Sequence, residues 1–243
     1  MLGRGKAALA LLAIGAAPAA AQDWNVQITP YAWGTGVGGD VRPVPGGPTL
    51  SFDQGLSEVL EDLDAAFFLT GYMRSGRFVF LGDYSRSVSS RSGRVPVLGL
   101  PARGEVEQSS ITLAAGYRAY SGPELTLDVL AGIRHWSIEA EATTPVVPGL
   151  SAGVDIDFTD PILALRTNIP LSERWSLIAY GDLGGFGAGS EWTGQVVATV
   201  NWQANDSLYL SAGYRHLFVD YDDGGPAVDV SFSGPLLGLT YRF

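Results

Sequence analysis

Cysteine is absent from the 243 residues, lysine occurs once, histidine twice, and charged residues make up only 16% of the chain. The missing thiols exclude a disulfide framework, an iron-sulfur cluster, a thiolate zinc site and a cysteine nucleophile. Basic residues are scarce as well, 15 against 25 acids. No nucleic-acid partner is therefore expected, because phosphate recognition requires basic surface. Beyond the first 21 residues no stretch approaches the roughly 20 apolar residues of a membrane-spanning helix. Apolar residues nevertheless make up 46% of the chain at low charge, which excludes intrinsic disorder.

The first segment has the form of an address. Arg4 and Lys6 precede the apolar stretch Ala7 to Ala17, and Pro18 is followed by Ala19, Ala20 and Ala21. This pattern predicts a secretory signal peptide over residues 1–21, cleaved after Ala21, with an apolar core about half as long as a membrane anchor needs. The mature chain, 22–243, then holds 13 arginines against 25 acids. A secreted chain without a membrane helix is either soluble or a membrane barrel.

Period-two alternation dominates from Trp24 onward. Leu125, Leu127, Val129, Ala131 and Ile133 fall on one side of their segment, with Thr126, Asp128, Gly132 and Arg134 on the other. Trp175, Leu177, Ala179 and Leu183 likewise oppose Ser176, Tyr180 and Asp182. Leu208, Leu210, Ala212 and Tyr214 oppose Ser211, Gly213 and Arg215. Short turn signals lie at Ser75-Gly76, Ser121-Gly122-Pro123, Leu171-Ser172-Glu173 and Ala204-Asn205-Asp206. Longer connections alternate with them, roughly Asp40 to Asp64, Ser87 to Glu105, Ala140 to Asp155, Gly184 to Glu191 and Tyr221 to Ala227. Nine connections imply ten strands, or eight or twelve if one hairpin is misjudged, most readily in the first loop. Short turns at one end and long loops at the other predict an all-β, closed, antiparallel up-and-down transmembrane barrel with both termini on the periplasmic side.

The polar face carries Asp83, Arg118, Asp128, Arg134, Arg166, Asp182, Arg215 and Arg242 among glycine, serine and threonine. Mixed signs and small side chains suit a crowded lumen in which each charge needs a partner, so these eight are expected to form a lumenal network. The opposite face is nearly free of charge over each strand's middle. Facing water it would aggregate, whereas lipid requires it. Phe78, Tyr117, Trp175, Trp202, Tyr241 and Phe243 near the short turns, and Tyr84, Trp192 and Phe218 near the long loops, suggest two interfacial belts.

The terminal alternation Leu237, Leu239, Tyr241, Phe243 looks like the signature that bacterial barrel-insertion machinery reads, which makes Leu239, Tyr241 and Phe243 its expected contact. More of the chain resembles a proteobacterial family of outer-membrane β-barrels with no assigned activity. The matching stretches are TPYAWGTGVGGDV at 29–41, SFDQGLSEVLEDLD at 51–64, DP at 160–161, RWSLIAYGDLGGFGAGS at 174–190, GYRHLFVDYDDG at 213–224 and GPLLGLTYRF at 234–243. The resemblance implies the fold and an outer-membrane location in a Gram-negative bacterium, and brings no catalytic or ligand-binding residues with it.

Asp53 to Leu63 breaks the alternation: Leu56, Val59, Leu60 and Leu63 recur at helical spacing while Glu58, Glu61 and Asp62 face away. Such a helix either constricts the barrel mouth with those acids or simply packs on neighbouring loops. His135 and His216 share the parity of Ile133 and Tyr214, the lipid side. A residue two after His216 is Phe218 rather than serine, and Asp220 stands about 13 Å along a strand. The acids Asp220, Asp222 and Asp223, and Glu139, Glu141, Asp155 and Asp157, are oxygen donors without calcium-loop spacing and read as a solvated rim. The glycines from Gly181 to Gly189 are followed by no lysine and no helix, as a phosphate loop would require. No cofactor and no metal are expected. A structural or narrow-pore surface protein, embedded in outer-membrane lipid and lipopolysaccharide, is the favoured reading. A rim hydrolase acting on peptide or lipid is the alternative.

Overall fold

Alternating segments become strands over nearly all of the chain that the computed structural model describes, namely residues 24–42, 45–47, 49–94, 101–144, 146 and 151–243. The signal segment expected at residues 1–21 lies outside the described residues. In chain order the elements are β1 (Trp24–Trp33), β2 (Gly36–Arg42), β3 (Leu50–Gln54), α1 (Leu56–Asp62), β4 (Leu63–Ser75), β5 (Phe78–Arg94), β6 (Pro101–Ser121), β7 (Thr126–Thr143), β8 (Ser151–Pro170), β9 (Trp175–Gly185), β10 (Trp192–Gln203), β11 (Leu208–Asp222) and β12 (Ala227–Arg242).

Ten of these strands close a ring. β1 and β4 to β12 follow one another as antiparallel neighbours, and β1 pairs back onto β12 through Gln27 with Arg242 up to Trp33 with Leu236. Closure leaves no edge along the ring, as hydrocarbon demands of any sheet that crosses it. The hairpin β2–β3 is additional. Where β1 stops at Trp33, β2 takes over the same edge of β12, pairing Gly36 to Arg42 with Ser233 to Ala227. Gly39 lets it do so: its φ is +146°, and a Cβ there would lie 2.1 Å from the Asp229 carbonyl oxygen. Beside the helix expected there, the first loop therefore holds a hairpin that glycine-rich sequence conceals.

The expected loops at Ser87 to Glu105 and Ala140 to Asp155 are largely strand. β6 has 21 residues and β8 has 20. At about 3.4 Å per residue and a tilt near 40°, such strands rise about 50 Å, twice the roughly 25 Å apolar band of a membrane barrel. Their upper halves read as loops because the pattern inverts there: Glu107, Glu139, Asp155 and Asp157 turn outward while Ile138, Ile156 and Phe158 turn inward.

Below that level the outer wall is apolar. Leu113, Val129, Ile133, Leu163, Leu165, Leu183, Val196, Leu210 and Leu237 are 45% to 65% exposed, whereas Asp128, Asp160 and Arg134 are fully buried and Arg215 is 2% exposed. Each such leucine or valine would forfeit about 1.5–3 kcal/mol facing water rather than hydrocarbon. Aromatic pairs mark both borders of the band. Phe78 with Tyr117, Trp175 with Trp202 and Tyr241 with Phe243 lie at the short-turn end, and Phe67 with Tyr84 and Phe186 with Trp192 at the other.

Candidate functional site

The inner face carries three tiers. In the lowest, the register of β6, β7 and β8 sets Arg118 beside Asp128 and Asp128 beside Arg166 on one side of the sheet. Arg118 donates to Asp128 through Nε at 2.7 Å and Nη2 at 3.2 Å, and the Tyr72 hydroxyl donates to the same carboxylate at 2.9 Å. Arg166 Nη1 stands 3.5 Å away, with its guanidinium 4.1 Å above the Tyr72 ring.

The middle tier ties together strands that are not neighbours in the sheet. Arg215 on β11 pairs with Asp83 on β5 at 3.1 Å. Asp83 also accepts from Tyr31 at 3.0 Å and Thr70 at 2.7 Å, and Arg215 donates to the Tyr31 hydroxyl. Arg134 on β7 meets Asp182 on β9 at 2.6 Å and donates to Thr112 and Thr193, while Gln195 donates to the same Asp182 oxygen. Buried charge is tolerated only with such pairing, since each unpaired ion would cost several kcal/mol.

Seven of the eight residues expected in the network thus sit in it. Arg242 stands apart, exposed at the short-turn rim and donating to Tyr209 at 3.1 Å, because it is the last residue of β12 and lies below the enclosed lumen. Asp160 is a member that sequence reasoning missed. It is fully buried and accepts from the Ser190 amide at 2.7 Å and hydroxyl at 2.8 Å, pinning the 186–190 turn inside the wall. Its shared parity with Arg166 was the available signal. With Asp160 the lumen balances Asp83, Asp128, Asp160 and Asp182 against Arg118, Arg134, Arg166 and Arg215.

An apolar upper tier replaces the expected network at the long-loop end. Trp33, Phe68, Trp136, Phe158, Leu217 and Val230 belong to one buried cluster, with Trp136, Leu217 and Val219 wholly enclosed. The reason is the inverted pattern: where acidic side chains take the outer face, the apolar side chains of the same strands turn inward and bury one another. Arg215 joins the two upper tiers, its guanidinium 4.7 Å from the Trp33 ring.

The remaining candidates fall outside the lumen. Helix α1 contacts β2, β3 and β5 and has no buried residue. Glu58 caps it by accepting from the Gly55 amide at 2.9 Å, Asp62 lies 3.6 Å from Arg91, and Glu61 is exposed. Both histidines face outward: His135 Nδ1 is 3.0 Å from Thr159 Oγ1, and His216 Nδ1 is 2.6 Å from Ser233 Oγ. Among the described residues no group of three or more histidine, aspartate or glutamate side chains is arranged to hold a metal. Asp222 pairs with Arg42 at 2.7 Å. At the C-terminus Leu239 and Tyr241 point outward, and the Phe243 amide donates to the Val26 carbonyl at 2.9 Å.

No protein-family model matches the sequence, and no curated protein does. Among solved structures the chain is similar to the translocator domain of the autotransporter NalP from Neisseria meningitidis, at 15% identity and a TM-score of 0.48, covering 90% of this chain and 88% of that one. It is similar also to the transport unit of the autotransporter AIDA-I from Escherichia coli, at 8% identity and a TM-score of 0.46, over 96% and 94% of the two chains. Ail, the attachment invasion locus protein of Yersinia pestis, matches at 13% identity and a TM-score of 0.37, over 90% and 98%.

Proposed function

We propose that this chain is an integral barrel of a Gram-negative outer membrane, encased in lipid and lipopolysaccharide, acting as a structural surface protein with a narrow lumen that is shut at its outer end. The observation that carries the reading is the combination of an apolar outer wall with an interior in which buried ion pairs interleave with an apolar cluster of Tyr72, Val79, Leu81, Leu130 and Tyr180 below, and hydrocarbon alone fills the space above. The outer wall fits acyl chains, and the inverted upper segment stands in water outside the cell, 220–229 contributing Asp220, Asp222, Asp223 and Asp229 to an acidic rim. A ten-strand ring encloses little more than its own side chains, and the cluster around Trp136 and Leu217 leaves ions no hydrated path.

The purified barrel is expected to show heat-modifiable gel migration and no steady current in a planar bilayer. Sustained ohmic conductance would overturn the shut lumen. Two contacts bear on the alternative of a rim hydrolase, that of His216 with Ser233 and that of His135 with Thr159. The His216 ring approaches the hydroxyl through Nδ1 and no carboxylate pairs with it among the described residues; His135 has Asp157 at 3.8 Å from Nε2, but its hydroxyl neighbour is the secondary alcohol of Thr159, so neither ring joins a serine nucleophile to an orienting carboxylate. Ester hydrolysis abolished in both His216→Ala and Ser233→Ala would reverse that judgement.

A further inference from the structure

Beneath the apolar tier lies a cavity of about 140 Å³ that the charged network does not fill. Its roof is formed by Tyr31, Asp83, Arg215 and Leu236, directly under Trp33, and its lower wall by Gln27, Thr240, Asn201 and Ser211, close to the short-turn ends of β1, β12, β10 and β11. The apolar tier lies above it, and its lower wall stands at the short-turn ends, which the proposed orientation turns toward the periplasm. We propose that this vestibule binds a small neutral polyol of monosaccharide size, entering from the periplasmic side.

Three features select that chemistry. Size comes first: a protein cavity of roughly 150 Å³ holds a six-membered ring. Charge is the second. The surrounding lumen balances four aspartates against four arginines, so a net charge on the ligand would enter a low-dielectric space with no counterion left for it. The third is the lining itself. Thr29 pairs with Thr240, and Asn201 with Thr199 and Ser211, which leaves lone pairs on their oxygens to accept from hydroxyl groups, while the Tyr31 and Tyr180 rings with Ile178 and Leu236 offer apolar surface for the C–H faces of a ring.

The site stands whether or not the lumen conducts, because binding heat and bilayer current are read separately. The test is calorimetric titration of the refolded full chain in detergent with D-glucose, D-gluconate and D-glucosamine. Glucose is expected to bind in the millimolar range and each charged analogue at least tenfold more weakly. Gly238→Leu fills the vestibule, since even a Cβ at Gly238 would stand 3.1 Å from Thr29 Cγ2 and 3.6 Å from Ser211 Cβ. It is expected to lower glucose affinity at least tenfold while heat-modifiable migration persists. Should that variant fail to assemble, Thr199→Leu on β10, two strands away along the cavity wall, replaces it. Absence of glucose binding, equal binding of gluconate, or full binding in an assembled vestibule-filling variant overturns the proposal.

Discussion

Arg134 Nη2 lies 2.6 Å from Asp182 Oδ2, and neither side chain reaches solvent. The two residues belong to β7 and β9, which are separated in the ring by β8, so the pair is a strut inside the wall rather than a rung of the ladder. Breaking one partner of a buried pair leaves an uncompensated charge, at a cost of about 3–5 kcal/mol. Arg134→Met and Asp182→Leu are each expected to lower stability by that amount in urea unfolding from liposomes. The double variant is expected to lose much less than their sum, because no orphan charge remains.

The orientation of the wall is tested at Leu163, 63% exposed on β8. Arginine on the lipid face near the bilayer midplane costs about 2–4 kcal/mol, whereas an exposed substitution on a water-facing wall changes stability by only about ±0.5 kcal/mol. Leu163→Arg is expected to show the larger loss when folding into vesicles is followed by tryptophan fluorescence. A variant as stable as the parent would refute the lipid-facing assignment.

Closure of the lumen is assigned to the apolar tier, and α1 buries none of its residues. Deleting residues 53–63 is accordingly expected to leave bilayer current unchanged, while Trp136→Ala combined with Leu217→Ser admits ions by removing a ring and wetting its neighbour. A rise in current on the deletion alone would instead identify Glu58, Glu61 and Asp62 as a constriction.

Phe243 is 68% exposed and packs its ring on Tyr241 at 4.8 Å. So little burial predicts a small effect of Phe243→Ala on refolding in detergent. If the last strand is the contact for the insertion machinery, the same variant reduces the amount of barrel assembled in the outer membrane of cells several-fold, read by surface protease digestion. Equal assembly would remove Phe243 from that role.

Much of this architecture is local information. Parity along a strand decides which side chains share a face, and short turn signals decide where strands end, so ten ring strands, the greasy wall and the inward row of Arg118, Asp128 and Arg166 are legible from residue order alone. Residue order also marks Leu56 to Asp62 as helical, because its apolar spacing changes from two to three and four. What lies inside the ring at the long-loop end was hidden for a physical reason. Ile156 and Phe158 keep the alternation, but their outward neighbours Asp155 and Asp157 are acidic, so the segment resembles a polar loop until the strand is seen to continue above the apolar band with its hydrocarbon side chains inside.

Only the closed structure decided which charge meets which. Asp83 finds Arg215, and Arg134 finds Asp182, across strands whose relative height depends on the tilt and stagger of the whole ring. The hairpin β2–β3 on the edge of β12 and the burial of Asp160 by Ser190 are decided in the same way. Chain order specifies faces because they follow from adjacent residues. Partners across a lumen follow from closure, to which every strand contributes.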